Sequence, residues 1–160
     1  MATRRSEASL IRLRRGGVED LDEVMRIMTA AFPSCFGEAW TRSQCAGIMP
    51  MHGVSLTVAE QRGKPVGFAL VRAVADEAEL LLLAVDPAEQ RRGIGQALLD
   101  DFIAGALADG AHRLHLEVRD GNPAVELYLA SGFAAAGRRR NYYRGTDGQS
   151  YDAVTLMLVD

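Results

Sequence analysis

The chain has 160 residues, 48% hydrophobic and 24% charged, with a formal net charge of −3 and a pI near 5.6. That length and apolar content suit one compact domain over residues 1–160, and the acidic balance gives no bulk attraction to nucleic acid or to an anionic membrane. There is no apolar run of about eighteen residues, no apolar signal core follows Arg4-Arg5, and Cys35 and Cys45 fit neither a secreted disulfide framework nor metal-ligand spacing, so a soluble, cytoplasmic, metal-free protein is expected.

Leu10, Ile11 and Leu13 begin the ordered chain as a short strand. From Val18 to Ala31 apolar residues recur at Val18, Leu21, Val24, Met25, Met28 and Ala31, the spacing of a helix with one buried face, and Pro33 ends it. Residues 34–53 are rich in glycine and carry the single tryptophan, Trp40; a short helix over Thr41–Met49 is their one regular feature. Val54–Ala59 and Val66–Val74 flank the turn Gln61-Arg62-Gly63-Lys64 as a hairpin. Glu79–Val85 is a nearly continuous apolar run of strand length, predicting a strand covered on both faces.

After the loop Asp86–Arg92, Gly93–Leu107 reads as a helix. Arg113–Val118 alternates, with Leu114, Leu116 and Val118 on one side and Arg113, His115 and Glu117 on the other. A helix running from Pro123 to Ser131 is closed by Gly132, and Ala135–Tyr143 pairs with Tyr151–Leu158 around Thr146-Asp147-Gly148. Hairpins at both ends of a strand-helix-strand-helix unit predict a mixed α/β fold.

The chemistry concentrates where the apolar strand ends. Between Val85 and the helix, Gly93 and Gly95 open the first turn, so that backbone amides and the positive helix end can receive an anion. Arg91 and Arg92 add charge suited to phosphate oxygens. A Walker loop is excluded by the missing Gly-Lys-Ser/Thr, and a dinucleotide fingerprint by Leu98 at the third small position and by the long strand-to-glycine gap.

Gln90-Arg91-Arg92-Gly93-Ile94-Gly95 followed by Ala97-Leu98-Leu99 resembles the signature of the GNAT acetyltransferase superfamily, and Asn122, Leu127-Tyr128 and Gly132-Phe133 look like its second marker. Within it, Leu116-Glu117-Val118-Arg119 and Arg139-Arg140-Asn141-Tyr142-Tyr143 are similar to the bacterial ribosomal-protein-alanine N-acetyltransferases. The spacing from Asn122 to Tyr128 is one residue shorter than the family's, and residues 34–53 differ more. The resemblance implies a GNAT-like, mostly antiparallel central sheet flanked by helices, with a splayed acetyl-CoA cleft. It implies acetyl-CoA as cosubstrate, held by Leu83, Ala84, Val85, Arg91, Arg92, Gly93, Ile94, Gly95, Gln96 and Asn122.

Transfer to an amine requires removal of a proton from the nucleophile, stabilisation of an oxyanion and protonation of a thiolate. The resemblance gives these tasks to Glu117 as base, to backbone amides of Leu83-Ala84-Val85, and to Tyr128 as acid, with Asn141, Tyr142 and Tyr143 against the acceptor. An α-amine near pKa 8 costs about 1.4 kcal/mol to deprotonate at pH 7 and a lysine about 4.6, which favours an N-terminal amine over a lysine side chain; the resemblance implies the terminal alanine of a small-subunit ribosomal protein, or another protein N-terminus, as the acceptor. A small-molecule amine acetyltransferase is the alternative acceptor reading. A silent acyl-CoA sensor is disfavoured because Glu117 and Tyr128 are both present.

Overall fold

The computed structural model describes residues 10–90 and 92–159. In chain order the elements are β1 (Ile11–Gly16), a 3-10 turn (Val18–Asp20), α1 (Leu21–Ala31), a 3-10 turn (Ser34–Phe36), α2 (Arg42–Ile48), β2 (Val54–Gln61), β3 (Lys64–Val74) and β4 (Glu77–Val85). Then follow a 3-10 turn (Pro87–Glu89), α3 (Ile94–Ala108), β5 (Arg113–Arg119), α4 (Ala124–Ala130), β6 (Ala134–Arg144) and β7 (Ser150–Val159). The strands form one sheet in the order β1-β2-β3-β4-β5-β7-β6, antiparallel throughout except for the parallel pair β4-β5.

Alternation along the strands assigns side chains to two cores. On one face Leu98, Leu99 and Phe102 of α3 pack with Leu114 and Leu116 of β5, Tyr128 of α4 and Phe133. On the other, Val24, Ile27 and Met28 of α1 and Cys45 of α2 pack with Leu56, Val58, Phe68 and Leu70. Each fully buried large side chain contributes roughly 1.5–3 kcal/mol of transfer free energy, enough to fix both helix layers on the sheet. The amphipathic stripe of α1 follows the predicted spacing with two differences: Ile27, outside the predicted set, is buried, and Val18 lies in the preceding 3-10 turn and is 56% exposed. Asp20 sets that turn: its carboxylate accepts from the Gly17 amide at 3.0 Å and from Arg14 at 2.8 and 3.1 Å, so the chain reaches α1 through a turn that leaves Val18 outside. α2 is capped by Thr41, whose hydroxyl accepts from the Gln44 amide while Gln44 Oε1 accepts from the Thr41 amide.

The feature that positions the site is a fork. β4 and β5 pair only from Glu77↔Arg113 to Leu80↔Leu116, and from there the two strands diverge. The divergence coincides with a bulge in β4: Leu70 of β3 opposes Leu82 while Val71 opposes Leu80, leaving Leu81 as the extra residue. A bulge bends its strand and raises its twist, so Leu82–Val85 keep their partners on β3 and turn their other backbone edge toward open space.

Candidate active site

The fork opens into a cavity of about 820 Å³. Its walls are the free edge of β4, the first turn of α3, the last residues of β5, the Asn122–Tyr128 stretch, the α1–α2 loop, and Tyr142 with Tyr143. Leu83, Ala84, Val85, Gly93, Ile94, Gly95, Gln96, Asn122, Glu117, Tyr128, Tyr142 and Tyr143 therefore converge on one space from five segments of the chain. Arg92 and Asn141 are not among its lining residues: the Arg92 guanidinium is 59% exposed and paired with Glu89 at 3.1 Å, and Asn141 is exposed. Arg91 lies outside the described residues.

At the helix start Gly93 takes φ +80°, a left-handed conformation open to glycine at little cost, and a side chain there would meet nothing within 4 Å. Gly93 thus acts as the N-cap without a side chain, leaving the first amides of α3 bare toward the cavity. The Ile94 side chain belongs to the core at 1% exposure, and Gln96 donates to Asp100 at 2.7 Å and to Ser131 at 3.2 Å. Backbone amides of α3 and of the β4 edge are accordingly the groups available to a phosphate-bearing, amide-bearing ligand, which is the donor chemistry coenzyme A requires.

Glu117 sits at the base of the fork with its side chain 14% exposed. One carboxylate oxygen pairs with Arg139 Nε at 2.8 Å, while Oε2 is buried and has no hydrogen-bond partner among the described residues. An orphaned buried carboxylate oxygen is costly to a fold, and here it belongs to a side chain of the cavity wall. Tyr128, 5% exposed, lines the same cavity, stacked edge-on against Phe133. Burial, reinforced by the negative charge of Glu38, pushes its hydroxyl well above the ordinary tyrosine value and keeps it protonated. Tyr143 is shifted the same way by burial and then Glu38, and its hydroxyl donates to the Glu117 carbonyl at 3.3 Å.

Glu38 is the participant that sequence reasoning missed. Its side chain is 8% exposed, it accepts from Arg119 Nε at 2.9 Å, and its other oxygen accepts from Asn122 Nδ2 at 2.7 Å. Arg119 lies 3.7 Å from the centroid of the Phe36 ring, and Asn122 Oδ1 accepts the Ala124 amide at 2.8 Å at the start of α4. The network joins the α1–α2 loop to the end of β5 and the start of α4. Nothing in the sequence signals it, because Glu38 lies in the least periodic segment, 84 positions from Asn122. Among the described residues no group of three His, Cys, Asp or Glu side chains is placed to hold a metal ion, and no helix is long and apolar enough to cross a membrane.

The molecule matches known proteins in sequence and in shape. The [ribosomal protein bS18]-alanine N-acetyltransferase of Escherichia coli strain K12 is 46% identical over 99 residues, covering 61% of this chain and 66% of that protein, slightly under two thirds of its length. The crystal structure of the ribosomal-protein-S18-alanine N-acetyltransferase from Escherichia coli superposes with a TM-score of 0.85 at 34% identity, over 94% of each chain. Ard1 from Thermoplasma volcanium superposes with a TM-score of 0.81 at 28% identity, over 93% of this chain and 97% of that one. Residues 21–133, from α1 through the fork to Phe133, match the model of the acetyltransferase (GNAT) family. Because that match spans well over half of the chain and the fold superposes on the Escherichia coli structure over 94% of its length, the chain belongs to the GNAT acetyltransferase family.

Proposed function

We propose that the protein transfers an acetyl group from acetyl-CoA to an α-amine, and that its acceptor is a protein N-terminus, the terminal alanine of a small-subunit ribosomal protein being the leading candidate. The observation that carries the reading is Glu117: a carboxylate with one oxygen tied to Arg139 and the other buried and unpartnered, at the fork where a cosubstrate and an amine would meet. The names of the Escherichia coli relatives support the acceptor. Acetyl-CoA supplies an activated acetyl thioester. The chain's own groups divide the remaining work: the edge of Leu83-Ala84-Val85 and the first turn of α3 at Gly93, Ile94, Gly95 and Gln96 bind and orient it, with Asn122 beside them. Glu117 takes the proton of the amine and Tyr128, held protonated by burial, gives one to the leaving sulfur. Tyr142 and Tyr143 flank the amine.

Proton economics favour this acceptor, since an α-amine near pKa 8 is about 3 kcal/mol easier to deprotonate at pH 7 than a lysine. Free Cys35 and Cys45 agree with a reducing cytoplasmic setting. The test is turnover of acetyl-CoA on a short peptide beginning with alanine and carrying arginine and lysine further on, with mass spectrometry to locate the product. The expected product bears one acetyl group, on the α-amine. Peptides left untouched while a polyamine or aminoglycoside is acetylated would transfer the assignment to small-molecule amines.

A further inference from the structure

Along a regular strand neighbouring side chains point to opposite faces, yet the rings of Tyr142 and Tyr143, adjacent in β6, both line the cavity and meet edge-on with centroids 5.0 Å apart. The register explains how. Arg139 opposes Ala153 and Tyr143 opposes Tyr151, so Arg140, Asn141 and Tyr142 share the single partner position of Asp152. At the centre of this bulge Asn141 takes φ +53°, and Asp152 fixes it by accepting the Asn141 amide at 2.9 Å and Arg138 at 3.0 Å. In an unbulged strand Asn141 would stand between Arg139 and Tyr143 on the cavity face. Here Asn141 is exposed and Tyr142 occupies that face, with Arg139, the partner of Glu117, 5.6 Å from its ring centroid.

We infer that Asn141 is a positioning residue for the acceptor site, acting through its left-handed backbone: the conformation turns Tyr142 onto the face of Arg139 and Tyr143, so that three side chains close around Glu117. The inference rests on the reading that these tyrosines flank the acceptor. Asparagine and glycine adopt this conformation readily, whereas a β-branched residue does not. The amide side chain itself has no part in the acceptor contact.

The test compares Asn141→Gly with Asn141→Val in the full chain, using acetyl-CoA and the alanine-initiated peptide. Asn141→Gly should stay within about threefold of the parent, and Asn141→Val should lose at least about tenfold in kcat/KM, mainly through peptide KM, the scale of a left-handed penalty spent on an unturned strand. Acetyl-CoA affinity by calorimetry should change by less than about twofold in both, because β6 contributes nothing to the helix-start amides. If Asn141→Val melts too early to assay, Asn141→Ala carries a smaller left-handed penalty with less bulk and should fall between the valine and glycine variants. A glycine variant as impaired as the valine one would assign the acceptor contact to the amide side chain, and a fully active valine variant would leave the bulge without a role; either overturns the inference. Should the parent acetylate only small amines, the peptide reading fails, and the order of glycine over valine on that amine still decides the role of Asn141.

Discussion

At the residue scale the decisive group is the half-satisfied carboxylate. Natural folds rarely bury an acceptor without a donor, and Glu117 keeps Oε2 that way while Arg139 holds the other oxygen. Glu117→Gln should lower turnover near neutral pH by about a hundredfold and leave acetyl-CoA affinity nearly unchanged. If proton removal is the task, the deficit narrows as pH rises past about 8, where the acceptor amine is already neutral; a pH–rate profile checks this, and an equal deficit at every pH would make Glu117 a structural group. Tyr128 does not confuse the measurement. Burial and Glu38 raise its hydroxyl, so it stays protonated across the working range and ionises only at higher pH than a free tyrosine. By linkage, that burial destabilises the fold only as pH rises beyond the ordinary tyrosine value, so a loss of activity near pH 9 cannot come from Tyr128 ionising. The strand alternation put Glu117 on the polar side of β5 and the resemblance singled it out, but its missing partner depends on where Arg139 and the cavity wall lie.

At the element scale the start of α3 separates conformation from contact. Gly93 sits at φ +80°, so any side chain there is strained, even in open space. Gly95 is different: its φ lies outside the left-handed region, and a Cβ would stand 3.5 Å from Leu127 Cδ2 and 3.7 Å from Val85 Cγ2, ordinary packing distances. Gly95→Ala should therefore fold with unchanged or slightly raised melting temperature, given the roughly 1 kcal/mol advantage of alanine over glycine inside a helix. It should nevertheless weaken acetyl-CoA about tenfold by keeping the ligand off the backbone. Calorimetry paired with thermal melting reads both quantities, and a stable variant with intact affinity would remove the helix start from the cofactor site. Gly93 and Gly95 were legible from their spacing after an apolar strand. The β4 bulge at Leu81 was not, since an unbroken Leu-Leu-Leu-Leu run carries no mark of register.

At the scale of the whole molecule the cavity gathers six segments, so a ligand filling it links both halves of the sheet. Acetyl-CoA at about a hundred times its Kd should add about 2.7 kcal/mol of stability. For a domain of this size that corresponds to roughly 5–10 °C in melting temperature, measurable by scanning calorimetry; no shift at saturation would mean that the cosubstrate binds elsewhere or not at all. Periodicity in the sequence by itself determined the order of strands and helices and the faces they bury, because apolar spacing records which side of an element leaves water. Glycine placement likewise marked the start of α3 as a candidate for anion binding, because backbone freedom is a local property. The resemblance implied a splayed cleft, and only the tertiary structure decided where β4 and β5 part, the bulge that brings Tyr142 beside Tyr143, and the junction of Glu38 with Arg119 and Asn122. Those features arise between groups 81 and 84 positions apart or from register against a partner strand, and neither separation nor register leaves a trace in the local pattern of one chain.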